Sequence, residues 1–158
     1  MSSLQKTWSK AGALPPFFYR FQEDETDFYG KPQLIQNIIY EISRLLNTRS
    51  SVSLEEYKTL DPDNLDHGVP GLYGLPDFSF FDGSNKISWP QISHFIETSL
   101  RLFEPRLKEA KVHLKEFLSD TQDLEMSISG TIRVGNIVEF ISFPVSIQGL
   151  PAHQILSR

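Results

Sequence analysis

Residues 124–147 read LEMSISGTIRV, then GN, then IVEFISFPVSI. In the first run Leu124, Met126, Ile128, Ile132 and Val134 alternate with Glu125, Ser127, Ser129, Thr131 and Arg133. That is the period-two pattern of a strand with one buried face. Gly135-Asn136 is a two-residue hairpin signal of the Gly-first kind. A turn there sets Val134 opposite Ile137, Gly130 opposite Ile141, Ile128 opposite Phe143, Met126 opposite Val145 and Leu124 opposite Ile147. All of these land on one face, so turn and alternation specify a single register. Glu139 opposite Ile132 is the one mismatch, near the hairpin tip where water is close. Pro144 has no N–H and is expected on an edge strand or at a bulge. Upstream, Ala110, Val112 and Leu114 alternate with Lys111, His113 and Lys115 and supply a further strand.

Two helical segments precede the strands. From Pro32 to Leu46, apolar residues fall at Leu34, Ile35, Ile38, Ile39, Ile42, Leu45 and Leu46, a stripe with period near 3.6. Pro32 suits a first helical position. From Trp89 to Phe103 the buried face is Ile92, Phe95, Ile96, Leu100 and Phe103. Ser88 with Gln91 reads as a capping box. Glu104 precedes Pro105, which pushes it out of helical geometry and stops the helix there. The expected architecture is an α+β domain, with two amphipathic helices packed on a small antiparallel β-sheet. The expected boundaries are a partly extended N-terminal arm over 1–31, a single domain over 32–150 and a C-terminal tail over 151–158.

The stretch 47–87 is mostly irregular, with turn chemistry at Asp61-Pro62, Pro70-Gly71, Gly74, Pro76 and Asp82-Gly83. Leu72, Tyr73, Leu75, Phe78, Phe80 and Phe81 make it apolar, so it is expected to pack down onto the domain. The arm crowds Phe17, Phe18, Tyr19 and Phe21 around Arg20, ahead of an acidic cluster at Glu23, Asp24, Glu25 and Asp27. These aromatics either cover the domain's own core or dock on a neighbour.

Composition narrows the function. The chain has 158 residues, enough for one core. It has no Cys, so disulfides and thiolate metal sites are excluded, and this fits either a reducing compartment or a Cys-free exported protein. No signal peptide or membrane span is expected. A net charge of −5 argues against nucleic acid as a partner. His67, His94, His113 and His153 lack metal-ligand spacing, and no phosphate loop, dinucleotide motif or nucleophile elbow is present. No cofactor is expected. Glu23, Glu25, Asp77, Asp82 and Glu104 could be nominated as a hydrolytic carboxylate pair, but none stands in the distinct environments that separate acid from base.

Two features suit protein contacts. Glu104-Pro105-Arg106-Leu107 reads as a rigid corner from which two opposite charges project, forming either a local surface ion pair or a contact with a partner. A three-stranded sheet also leaves two edges with unpaired N–H and C=O groups, which invite strand addition. Val138 and Phe140, on the face opposite the main apolar row, form a candidate second patch.

Three motifs then carry a resemblance. Leu45-Leu46-Asn47-Thr48-Arg49, Tyr73-Gly74-Leu75-Pro76-Asp77-Phe78 and Phe103-Glu104-Pro105-Arg106-Leu107, in that order and spacing, resemble the TssE family of type VI secretion baseplate proteins and the related phage baseplate wedge proteins. The resemblance covers about residues 30–148. It departs at Phe17–Phe21, aromatic where the family often has a Leu-rich segment containing Arg, and at Pro70-Gly71.

The resemblance implies a cytoplasmic, non-enzymatic wedge subunit at a baseplate docked on an inner-membrane complex. It implies partners of the TssF, TssG and TssK type in the wedge and of the TssB and TssC type in the contractile sheath, whose first ring the subunit would template by strand exchange. The Glu-Pro-Arg element, here Glu104, Pro105 and Arg106, is associated in the family with the wedge's core bundle. The candidate contact residues are Glu104, Pro105, Arg106, Leu107, Tyr73, Asp77, Val138, Phe140, Phe17 and Arg20. The family has also carried a lysozyme label, so a muramidase-like hydrolase is one alternative. An anti-adaptor-like regulatory module, which shares the fold by resemblance, is another.

Overall fold

The structure, a computed structural model, describes residues 30–59, 72–78 and 82–149. The arm with Phe17 and Arg20, the segment containing Pro70-Gly71, Phe80, Phe81 and the tail lie outside the described residues.

Helix α1 runs Lys31–Leu46, with Pro32 in its first turn as expected. Leu34, Ile38, Ile42, Leu45 and Leu46 are buried along one stripe, and Ile35 and Ile39 pack half-buried beside it. Helix α3, Trp89–Phe103, buries Ile92, Phe95, Ile96 and Leu100. The expected capping box at Ser88 does not form. A 3₁₀ turn, Lys86–Ser88, precedes α3 and holds Ser88 in helical geometry, which is not the extended conformation a capping residue needs. The cap moves upstream, where Asn85 accepts from the Ile87 N–H at 3.0 Å.

Between them lies a helix that the apolar pattern does not reveal. Helix α2, Leu54–Lys58, is one turn held by a capping box. Ser53 Oγ accepts from the Glu56 N–H at 3.3 Å, and Glu56 Oε2 accepts from the Ser53 N–H at 3.1 Å. The exposed Glu56 carboxyl is held below its ordinary pKa, chiefly by the Ser53 hydroxyl. α2 contributes Tyr57 to the core, where its ring meets Phe95 edge-on at 5.8 Å.

Three antiparallel strands follow in the order β1-β2-β3: β1 Lys108–Leu118, β2 Asp123–Val134 and β3 Ile137–Ile147. The fold is α+β. The β2–β3 register is the one the hairpin turn requires, from Val134 opposite Ile137 to Leu124 opposite Ile147 without a shift. Gly135 has φ +61°, in keeping with a Gly-first turn. Glu139 does face Ile132, and it is neutralised by Lys31 in the first turn of α1. The mismatch in the pattern is therefore an ion pair that joins α1 to β3. α1 lies over β3 and α3 over β1, so both helices cover the same face of the sheet. Leu124, Met126, Ile128, Ile132, Ile141, Phe143 and Ile147 fill the space between.

Candidate functional site: a closed corner and an open border

The three motifs meet at one end of the domain. Arg49 and Leu75 form a short parallel bridge, in which the Leu75 N–H donates to Thr48 O at 2.9 Å and the Ser50 N–H to Leu75 O at 2.8 Å. Gly74 makes this approach possible. Its φ is +105°, and a Cβ there would stand 2.5 Å from Thr48 O. From α3, Ser99 Oγ donates to Gly74 O at 3.2 Å. Tyr73 packs edge-on against Phe103 at 5.3 Å and is half-buried. Burial pushes its phenol above the ordinary pKa; Glu41 adds to the rise, Arg44 opposes it and Glu104 adds again. Tyr73 thus shares a neighbourhood with α1 and with the corner after α3.

At that corner the chain leaves α3 and enters β1 within four residues. Both charges are expected to project from it, but Glu104 is turned inward, 3% exposed. Its two carboxylate oxygens each accept from Arg106 at 2.6 Å, one from Nε and one from Nη2. Arg106 Nη1 donates to Asn37 Oδ1 of α1 at 2.8 Å. A planar guanidinium fork fits this two-point pairing, which an ammonium could not reproduce. The element thus fastens the end of α3 to α1. Leu107 is buried too, against Gly130 in the middle of β2, where a Cβ would stand 2.7 Å from Leu107 Cδ1 and 2.8 Å from Lys108 O. Of the four residues, Pro105 is exposed and Arg106 keeps about a third of its side chain open. Asp77 is exposed near the same end.

The sheet borders differ from one another. β1 carries two register shifts, between Lys108 and Lys111 and between Leu114 and Glu116. Glu109 sits at the first of them with φ +53°. Glu97 of α3 reaches over and accepts from the outward Val112 N–H at 3.1 Å. Bulges and an inward-reaching charge are the usual means of blunting an edge. Beside it, an open cleft of about 690 Å³ is lined by residues including His94, Glu97, Arg101, Lys111 and Phe140.

β3 is regular over its whole length. Its even-numbered residues turn their backbone groups away from β2, because Ser146 O and the Gln148 N–H are both taken by a group outside the ladder. That group is Asn47, at the C-cap of α1. Its Oδ1 accepts from the Gln148 N–H at 2.9 Å, and its Nδ2 donates to Ser146 O at 3.3 Å and to Ser43 O at 2.9 Å. From Val138 to Pro144 the outward backbone has no partner among the described residues. Val138 and Phe140 are 67% and 71% exposed there, with Ile137 beside them at 62%. Pro144 is on an edge strand, as its missing donor requires. Alternation alone leaves both edges equally open and assigns Asn47 no part in either. Asn at a helix end is an ordinary cap, so nothing in the local pattern points to a contact about a hundred residues away.

A family profile described as baseplate wedge protein gp25 matches residues 32–136. The chain belongs to the baseplate wedge family. The match spans both long helices, the three motifs and the sheet as far as the hairpin turn. In fold, this wedge protein is similar to a chain in the solved structure "The baseplate complex from the type VI secretion system". The two share 19% identity with a TM-score of 0.50, over 75% of this chain and 97% of the other. None of the curated proteins matches the sequence. No helix among the described residues is long and apolar enough to cross a membrane.

Proposed function

We propose that this wedge protein is a structural, non-enzymatic subunit of the baseplate of a type VI secretion system, joining the wedge to the first ring of the contractile sheath. The observation that carries the reading is the family match over residues 32–136, strengthened by the likeness in fold to a chain of a type VI baseplate complex. Two surfaces divide the work. At the corner, Pro105, the open third of Arg106, Tyr73 and Asp77 face wedge subunits of the TssF, TssG and TssK type. Glu104 and Leu107 act from behind by holding that surface rigid. Along the sheet, the exposed backbone templates strands from TssB- and TssC-type sheath subunits: main-chain hydrogen bonds supply affinity and side-chain alternation sets register. Phe17 and Arg20 belong to an arm that meets a neighbour in the same assembly. The protein works in the cytoplasm, at a baseplate docked on the inner-membrane complex, with no membrane insertion, nucleic acid or cofactor.

The test is affinity purification of the tagged full chain from cells assembling the machine, with mass spectrometry of what comes with it. Wedge and sheath subunits are expected. A response regulator in their place would favour the anti-adaptor reading. Digestion of peptidoglycan by the purified chain, abolished by changing one carboxylate, would favour the hydrolase. Arg106→Ala should release the wedge subunits, and Arg106→Lys should weaken their binding. Unchanged co-purification of folded Arg106→Ala protein would remove the anchoring role.

A further inference from the structure

We infer that the border that takes a partner strand is β3, in a single register, and that Asn47 is the stop that sets where the added strand ends. This rests on the strand-accepting reading above and adds to it the border, the length and the residue that limits it.

The choice of border follows from what each strand offers. A partner backbone needs donors and acceptors at every second residue along a straight edge. β1 breaks that spacing twice and has lost its Val112 donor to Glu97. β3 keeps the spacing, and Val138, Phe140 and Ser142 each present an N–H and a C=O outward. At Pro144 the donor is missing. Two residues later Asn47 occupies Ser146 O, and beyond it the Gln148 N–H. A primary amide that accepts from one N–H and donates to the C=O two residues away imitates a strand's backbone, so the place a longer strand would take is already filled. The usable border runs from Val138 to Ser142, about 17 Å at 3.4 Å per residue.

The partner's chemistry follows. It is an extended segment of about five residues from another polypeptide. Its outer-face side chains are apolar, because they lie beside Val138 and Phe140. On the inner face, the position next to Glu139 and Lys31 is polar, because those two already form a partly exposed ion pair there.

The experiment is residue-resolved amide hydrogen exchange on the full chain, alone and in complex with co-purified sheath subunits. In the free chain, Val138, Phe140 and Ser142 should exchange fast and Gln148 slowly. In the complex the three should gain at least about tenfold protection, as newly bonded amides do, with Gln148 unchanged. Gain at Leu114, the next outward amide of β1, in place of β3 would overturn the choice of border while leaving strand acceptance standing. A complex that forms with no gain on either border would overturn strand acceptance itself. If the free chain is a dimer with Val138–Ser142 already protected, the occupant is a second copy and the inference fails.

In Asn47→Ala the Gln148 amide should exchange fast in the free chain and become protected in the complex, because the added strand runs on. If it stays fast in the complex, Asn47 is not the stop. Should that variant fail to fold, Ser142→Pro still tests the border. It removes one outward donor without touching the β2 ladder, so binding of sheath subunits should fall at least about tenfold. Unchanged binding would overturn the inference.

Discussion

The corner after α3 and the border of β3 are built from opposite material. At the corner, a carboxylate, a guanidinium and a leucine fold back on their own chain. Glu104 is bonded twice by Arg106, Arg106 reaches Asn37 and Leu107 fills the space that Gly130 leaves. Along β3 the open groups are backbone N–H and C=O, which every residue type except proline carries alike. Side chains with distinctive chemistry have therefore gone into holding the domain's shape. The groups that β3 leaves for a neighbour are the least distinctive in the chain. A polar residue that stands out in a sequence is as often fixing an internal joint as touching a partner, and here the buried carboxylate shows which.

The sharpest way to break this contrast is at Gly74. Gly74→Ala forces a Cβ into φ +105° and into the Thr48 carbonyl. Positive-φ strain plus a backbone clash should cost about 3 kcal/mol or more. Urea unfolding measures it, and a loss below about 1 kcal/mol would mean that the interlock of the first two motifs yields easily.

Arg106→Ala comes next. It strands a carboxylate that is almost fully buried, and removing one partner of a buried pair costs about 3 kcal/mol, less where the pair is partly open as Arg106 is. Arg106→Lys should recover only part of that, since an ammonium cannot reproduce the fork. A loss near zero for Arg106→Ala would show that the pair does not hold the corner together.

The border should behave in the opposite way. Phe140→Ser removes a side chain that is mostly in water, so stability should move by about 0.5 kcal/mol or less. Binding of sheath subunits should weaken about tenfold. If stability falls instead and binding holds, Phe140 belongs to the fold and not to an interface.

The smallest effect lies in the core. The Tyr57 hydroxyl is buried without a hydrogen-bond partner among the described residues. Burial raises its pKa, and the neighbouring Ser99 hydroxyl, which donates to Gly74 O, offsets only part of the rise. The unfolded chain's phenol ionises first, near pH ~10, so stability is level with pH below that and falls as pH rises toward the folded pKa. Tyr57→Phe should therefore be neutral or stabilising by up to ~1 kcal/mol near pH 7, and should lessen the loss of stability above pH 10. Thermal melts from pH 7 to 11 would show it, and a clearly less stable Tyr57→Phe protein would mean that the hydroxyl has a partner.

Much of the fold is legible in the sequence because two independent constraints agree. The Gly135-Asn136 turn and the alternation of Leu124–Val134 with Ile137–Ile147 allow only one register, and that register is observed. The helices are legible because their stripes are long. Helix α2 is too short for periodicity to register, although Ser53 with Glu56 is the same capping signal that Ser88 and Gln91 carry, where a preceding 3₁₀ turn takes the cap away. The candidate site is legible in part. The motifs mark the corner, but burial decides whether their charges face inward, and no local pattern encodes that Glu104 meets Arg106 with both oxygens. The contrast between β1 and β3 is hidden because Glu97 and Asn47 act on residues 15 and about a hundred positions away.

The most direct measurement is a high-resolution cryo-EM map of the junction between the assembled baseplate and the first sheath ring. The account predicts continuous main-chain density from a neighbouring subunit beside Val138–Ser142, ending short of Asn47. A resolved junction in which that border faces solvent, or in which the neighbour touches the wedge protein by side chains alone, would contradict it.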